Sequence, residues 1–496
     1  MKKILMPIFA LIFLASCKKE YLNTSPTTAV ADTDVFTTTA NGETVINGIY
    51  RYLYSRFDNQ NTPGQGGVML MLDFMGEDLT QAVANWYTPG NGTGGWINQK
   101  NPDNSYVAYP FRMYYRCIGN ANSIIENVDN STGSVGDKNR LKAEALAMRA
   151  WAYFNLVQIY GKRYDATVSD NSQLGVSLAL SSTASKLPRA TVQQVYTQIN
   201  KDLTDAVAAF NAASAPRNKS HLSLRAAYAI WARVALVQQN WVKAAEYANQ
   251  VITLGGFSLM SNTQYQAGFN DLSNPEWIWG AFVQDDQGDT FGSYLAQISY
   301  NGNTTYIRGV PKRINVALYN LISNTDVRKK MWEPSPNTTN FPLPSTAFTR
   351  QPYMSRKFSI RNLPTIGDVP YIRLAEVYLI LAEAYARIPG RETDARNALF
   401  TLAVNRDPSY TLSTNTGQAL IDEILVQRRV ELWAEGHRWL DLKRMNMPLD
   451  RTVVPNYVPA SAGGVMQVPA PSASELWQFL IPTFEMQANP NAVQNP

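Results

Sequence analysis

The stretch from Ala226 to Gly255, AAYAIWARVALVQQNWVKAAEYANQVITLG, limits the possible folds more than any other part of the chain. Apolar residues recur at helical spacing on both sides of Gln239-Asn240, a polar pair suited to a turn. Alanines stand where two antiparallel helices must approach closely. The segment from Ala375 to Arg406 has the same build, with Pro389-Gly390 at its turn. A hairpin of this kind cannot bury its apolar face alone, so each must stack on neighbours. No constant period separates the two, which predicts an irregular stack rather than a regular solenoid.

Further helices follow from the same spacing. Phe111, Tyr115, Ile118, Asn122 and Ile125 share one face, and so do Leu141, Ala145, Met148 and Ala152, with Gly161 placed to end that helix. The helix beginning at Leu141 is expected to open a third hairpin. Thr191 and Gln194 form a capping box ahead of Val195, Ile199, Leu203, Ala206 and Phe210. A first helix is expected over about Gly42 to Phe57, with Val45, Ile46, Ile49, Tyr50 and Leu53 inward. The two hairpins resemble tetratricopeptide-type units. The predicted class is therefore mostly α: irregular tetratricopeptide-like hairpins forming a scaffold, with a loop-rich half that contains short strands.

The loop-rich material falls in two insertions. Residues 59–104 are rich in glycine and hold Trp86, Tyr87 and Trp96, without clear periodicity. Residues 256–370 are aromatic, weakly periodic and interrupted by Gly and Pro, and read as loops with short strands. Both belong to one globular unit over residues 36–496.

The N-terminus carries a different message. Lys2 and Lys3 precede an apolar run from Ile4 to Ala15, too short to span a membrane comfortably and of the length of a secretory segment. Leu14-Ala15-Ser16-Cys17 closes it in the manner of a bacterial lipobox, so residues 1–16 are expected to be removed and Cys17 acylated. A plain signal peptide with a chance cysteine is the alternative. Residues 17–35 then read as a polar tether from the lipid to the body. Cys117 is left without a partner for an intramolecular bridge, so the core must hold the fold together.

Charge excludes more than it suggests. The formal balance is +5, no basic stripe is present, and nucleic acid is not an expected partner. The two histidines, His221 and His437, form no zinc-type spacing, so no metal and no cofactor are expected. Adjacent acids such as Glu77-Asp78 and Asp285-Asp286 do not place two carboxyls across a glycosidic bond, and no catalytic residue is assigned. The chain does hold 26 Tyr and 11 Trp, many among polar residues. Sugar rings stack on aromatic faces and their hydroxyls need Asn, Asp or Arg partners. The candidate ligand contacts are accordingly Asn85, Trp86, Tyr87 and Trp96 in the first insertion, and Asp286, Tyr300, Tyr306 and Arg308 in the second, with Asp285 beside them. Burial as loop anchors is the competing reading.

Five segments, in order, carry a family resemblance: AEALAMRAWAYFNLVQIY (143–160), PRATVQQVYTQINKDL (188–203), YIRLAEVYLILAEA (371–384), EILVQRRVELWAEGHRWLDLKR (423–444) and IPTFEMQANPNAVQNP (481–496). The fourth resembles the (E/Q)RRxELxxEGxRWxDLxR helix of SusD/RagB-like proteins, and the last is similar to that family's ending. One departure is Lys162-Arg163-Tyr164-Asp165, where the family has Gly-Asp-x-Pro-Leu. The resemblance implies a lipid-anchored, outer-membrane, non-catalytic subunit. Its implied partners are a SusC-like TonB-dependent transporter that it covers, and a glycan or, in some branches, a peptide. Read as one helix, the fourth segment places Glu431 with Glu435, and Glu435 with Arg438, on a shared face, and a structural ion-pair network is expected there.

Overall fold

The computed structural model describes residues 35–82, 96–459 and 465–496. Cys17, the signal segment and the tether up to residue 34 lie outside these residues, as do Asn85, Trp86 and Tyr87.

Helix α1 (Thr39–Tyr52) starts at Thr38, whose hydroxyl accepts from the Asn41 N–H. It stops short of the expected Phe57 because the chain turns back on itself. The Gln65 N–H donates to the Leu53 carbonyl at 2.7 Å, and Gly64, with φ +50°, makes that return possible. The expected irregular insertion instead opens with α2 (Gly64–Phe74), buried at all its positions. Such a helix is apolar all round and shows no amphipathic period. Its glycines admit neighbours: a Cβ on Gly66 would lie 2.5 Å from the Cβ of Tyr294.

The scaffold follows. Helices α3 (Ser105–Asn127), α4 (Val135–Tyr160) and α5 (Val192–Asn211) pack side by side, with α4 central. Gly161 ends α4, and the Thr191–Gln194 capping box opens α5 as expected. Helices α6 (Leu224–Val237) and α7 (Trp241–Leu254) form the first hairpin, turned by Gln239 at φ +56° and capped by Asn240. Helices α8 (Leu374–Ala386) and α9 (Glu392–Arg406) form the second, turned at Gly390 with φ +78°. The buried alanines Ala226, Ala229, Ala244 and Ala248 let α6 and α7 close on each other. Helix α8 packs on α7 and on α10 (Gly417–Glu431), and α11 (Arg438–Arg444) packs on α2.

The other half is built from short strands. Strands β1 (Leu79–Gln81), β5 (Lys312–Ile314), β7 (Met354–Ser355) and β6 (Trp332–Glu333) form an antiparallel sheet in that order, with Leu79 opposite Ile314. Strands β2 (Leu174–Ser177) and β3 (Arg189–Thr191) pair antiparallel. Strand β4 (Trp277–Ala281) pairs antiparallel with β8 (Val369–Arg373), and β8 runs directly into α8, so the two halves share a backbone junction. Buried apolar side chains from Phe36 to Ile481 make one continuous core, with Cys117 a buried free thiol within it. Among the described residues, no helix is long and apolar enough to cross a membrane.

Candidate functional site

The segment 423–444 is not one helix. Helix α10 ends at Glu431, and Ala434 (φ +63°) and Gly436 (φ +84°) turn the chain before α11 begins. Glu435 consequently does not meet Arg438. It accepts from Arg373 at 2.7 and 2.8 Å and from Lys357 at 2.7 Å. Arg438 instead donates from Nε to Glu77 at 2.9 Å, and Arg429 donates from Nε to Asp78 at 2.9 Å. Glu77 and Asp78 are therefore structural ties.

Around Glu435 lies a buried, balanced cluster. Arg373 also pairs with Glu276 and Glu431, Arg406 with the same two acids, and Arg328 with Asp326 and Glu431. Four cations (Lys357 included) thus face the four acids Glu276, Asp326, Glu431 and Glu435. Burial pushes the Glu435 carboxyl up, but Arg373 and Lys357 outweigh it and hold it at about 2. Its components come from the residue before β4, from β8, α9, the end of α10 and the turn after it, and from the loop segments that hold Asp326, Arg328 and Lys357, so the cluster rivets the loop-rich half to the scaffold. A narrow pocket of about 60 Å³ beside it, lined by Gln158, Arg233, Arg428 and His437 among others, has room for a few waters and not for a sugar.

A larger open concavity among the described residues lies elsewhere, along the seam between the halves. Two adjoining basins of about 590 and 510 Å³ share Arg51, Leu53, Tyr54 and Gln287 as their common ridge. Both fall within the size range of small-molecule sites. The ridge is fastened by the Tyr54 hydroxyl, which donates to the Gln287 side chain at 2.8 Å, and by the Tyr371 hydroxyl, which donates to the Leu53 carbonyl at 2.9 Å. Burial raises the Tyr54 phenol above its ordinary range, keeping it a donor.

The first basin is lined by Arg56, Asp286, Asp289 and Phe291. Asp289 faces Arg56 at 3.4 Å and accepts from the backbone N–H groups of Phe291 and Gly292 at 3.2 and 2.9 Å, which fixes it as an acceptor. The second basin is lined by Asn47, Asn218, Ser220, His221, Phe282 and Gln284. Phe282 is 43% exposed, a large apolar ring held in water beside polar amides. His221 is buried on its Nδ1 side, where the nitrogen lies 2.9 Å from Glu144, itself bound by Tyr50 at 2.6 Å and Arg140 at 2.9 Å.

Among the described residues expected from the sequence to touch ligand, Asp286 alone lines this groove. Trp96 requires a correction: it is 4% exposed, donates from its indole to the Met75 carbonyl at 3.0 Å and packs edge-on against Trp477 at 4.6 Å. It is a core anchor. Tyr300 packs edge-on against Phe341 at 5.6 Å, and Arg308 takes the Thr349 N–H on its carbonyl, both away from the groove lining. Tyr306 belongs to the short helix Thr305–Arg308, and its side chain lies outside the described set. Asp285 is exposed, 3.8 Å from Arg361. Sequence reasoning passed over Arg51, Tyr54, His221 and Phe282, which come from separate segments and converge only on folding. Among the described residues, no group of three or more His, Cys, Asp or Glu could hold a metal.

A stack of irregular helical hairpins carrying strand-and-loop material, with an open polar–aromatic groove at the seam, defines a binding scaffold. Residues 20–236 match the family model described as starch-binding, associating with outer membrane, and residues 230–496 match that of the SusD family. The second match alone covers more than half of the chain, and the chain belongs to the SusD family. SusD-like protein P2 of Formosa agariphila is 25% identical over 481 residues, covering 89% of this chain and 90% of the relative. A SusD-like protein of Bacteroides ovatus is 24% identical over 371 residues, 66% of this chain and 64% of the relative. Among solved structures, a SusD-like carbohydrate binding protein from Bacteroides vulgatus superposes with TM-score 0.76 at 26% identity, covering 92% of this chain and 98% of that one. A SusD superfamily protein from Bacteroides thetaiotaomicron gives TM-score 0.76 at 23% identity, covering 92% and 100%.

Proposed function

We propose that this chain is a non-catalytic glycan-binding lipoprotein of the bacterial surface. It captures oligo- or polysaccharide in the seam groove and delivers it to a SusC-like TonB-dependent transporter in the outer membrane. The observation that carries this reading is the groove itself: Tyr54, Phe282 and Phe291 supply apolar faces along one open channel, interleaved with Asn47, Asn218, Ser220, Gln284 and Asp286. Sugar rings need that combination, flat apolar surface beside fixed donors and acceptors. The carbohydrate-binding relative from Bacteroides vulgatus supports it. Acylation at Cys17 would tether the chain to the membrane, with residues 17–35 giving reach. Asp289, tied to Arg56 and two backbone N–H groups, holds a fixed position from which it can accept sugar hydroxyls.

The test is calorimetry of wild type, Tyr54→Ala and Phe282→Ala against a panel of soluble polysaccharides and peptides. Each variant is expected to lose at least about tenfold in affinity for the bound glycan, the scale on which truncated aromatic anchors act. Phe282→Ala, an exposed position, is expected to keep its melting temperature. Normal binding by both variants would move the site out of the groove, and preference for peptides would change the ligand class.

A further inference from the structure

The two basins differ in charge in a way the glycan reading does not by itself explain. The first has its own carboxylates, Asp286 and Asp289, and its cation Arg56 is engaged by one of them. The second has no aspartate or glutamate in its lining. Its cation is Arg51, exposed on the last turn of α1 and shared with the ridge. Among the described residues Arg51 makes no ion pair and no side-chain hydrogen bond.

The nearby acids are already answered from beneath. Glu144, under the floor, takes Arg140, Tyr50 and His221, and Glu43 takes Arg140 and Arg217. Arg51 also lines the first basin, where Asp286 and Asp289 stand, but pairs with neither, so the second basin offers a positive charge with no carboxylate in its own lining. Around it stand neutral donors. The Asn218 carboxamide oxygen is occupied by the Ser220 N–H and hydroxyl at 2.7 and 2.6 Å, which leaves its NH₂ to donate. Asn47 lies one helical turn from Arg51 on the same face of α1, and both line the basin.

We infer that the second basin selects an anionic sugar unit, a uronate carboxylate or a sulfate ester, with Arg51 as its ionic partner and Asn47 and Asn218 as flanking donors, while the first basin takes neutral sugar through Asp286 and Asp289. The inference rests on the groove being the glycan site and adds the charge class of the ligand. A guanidinium fork matches a planar carboxylate or a sulfate bidentately, and such charge-assisted bonds are about twice as strong as neutral ones.

The experiment compares matched polymers: polygalacturonate with its carboxyl-reduced form, and a sulfated galactan with its desulfated form. Each is titrated into wild type, Arg51→Gln, Arg51→Lys and Lys330→Gln, the last an exposed cation that lines neither basin. Wild type and Lys330→Gln should bind a charged polymer at least about tenfold more tightly than its neutral partner, with the margin shrinking in high salt. Arg51→Gln should erase the margin, bringing the charged polymer to the affinity of its neutral partner, and Arg51→Lys should keep part of it. The polymer pair that shows the margin tells carboxylate from sulfate. Equal binding of charged and neutral forms, unchanged in Arg51→Gln, overturns the inference and leaves the glycan groove standing. Polyglutamate binding as tightly as the charged glycans overturns it in favour of a general polyanion site. If no polymer of either charge binds, the glycan reading falls and the inference with it.

Discussion

Trp96 sits at φ +62° with its indole between Trp477, at 4.6 Å, and Trp439, at 6.4 Å, and its N–H on the Met75 carbonyl. A glycine-rich neighbourhood made it look displayed. Yet the same glycines that could present a ring outward can also let the chain fold a ring inward, and the three-tryptophan cluster gains more by removing apolar area from water. Trp96→Ala is expected to cost about 3–5 kcal/mol, as for other large-to-small changes of buried aromatics. The check is thermal unfolding, with glycan affinity measured on the folded fraction; an unchanged melting temperature together with lost binding would return Trp96 to the ligand site. Asp286 was legible as a surface-loop residue, because a polar aromatic stretch interrupted by glycine is where a scaffold presents side chains to solvent, and it lines the first basin. Arg51 and Tyr54 were not, because they read as the end of an ordinary amphipathic helix. Nothing in α1 announces that a loop more than two hundred residues later will close over it through Gln287.

At the scale of elements, spacing and caps located the long helices well. The α6–α7 and α8–α9 hairpins turn where Gln239-Asn240 and Pro389-Gly390 predicted, since local backbone preferences and helical periodicity are properties of the segment itself. Two of the failures share a cause. Helix α2 is buried on all sides, so it has no period to read, and α10–α11 has a helical period across a break that tertiary contacts impose. At the break, a Cβ on Gly436 would lie 2.7 Å from the Met69 Cα on α2, and its φ of +84° is strained for any other residue. The Asp73 carboxylate accepts from the Gly436 and Arg438 N–H groups at 2.9 and 3.0 Å and fixes the turn from the other side. Gly436→Ala is therefore expected to destabilise by at least about 2 kcal/mol, backbone strain adding to overpacking. Chemical denaturation measures it, and a variant as stable as wild type would show that the turn adapts.

Across the whole molecule, the balanced cluster around Glu431 and Glu435 should govern acid stability. The Glu435 carboxyl, about 2 in the folded protein, lies below its ordinary 4.5, and Glu431 is likewise held down by Arg406, Arg373 and Arg328 against burial. In this range the unfolded chain binds protons that the folded chain does not. Stability is thus fully present above about pH 4.5 and is lost as pH falls through about 2. Two other groups act at milder pH and oppose each other. Burial, with Arg428 and Arg233 and against Glu376, holds the His437 imidazole down at about 4, which weakens the fold as pH falls from about 6.5. Burial holds the Asp73 carboxyl up at about 7, which strengthens it over much the same interval. Melting temperature should accordingly change little between about pH 4.5 and 6.5 and drop steeply below. Glu435→Gln is expected to be less stable at neutral pH and to show a shallower acid slope, with one proton fewer taken up on unfolding. An acid slope identical to wild type would place the sensitivity elsewhere.

The sequence alone determined that this protein is an irregular helical-hairpin scaffold with a loop-rich half containing short strands, and the family signature segments placed it among SusD-like chains. Those features depend on periodicity, caps, turns and residue types within short windows. Only the tertiary structure decided which aromatics are core and which are surface, which acids pair with which arginines, and where the groove lies. Glu435 meets Arg373 and not Arg438, and the groove draws on α1, the loop before α6, the end of β4 and the turn that follows it. The reason is physical: a side chain's helical or strand preference is set by its own backbone and near neighbours, while its burial and its ionic partner are set by segments that reach it only when the halves close on one core.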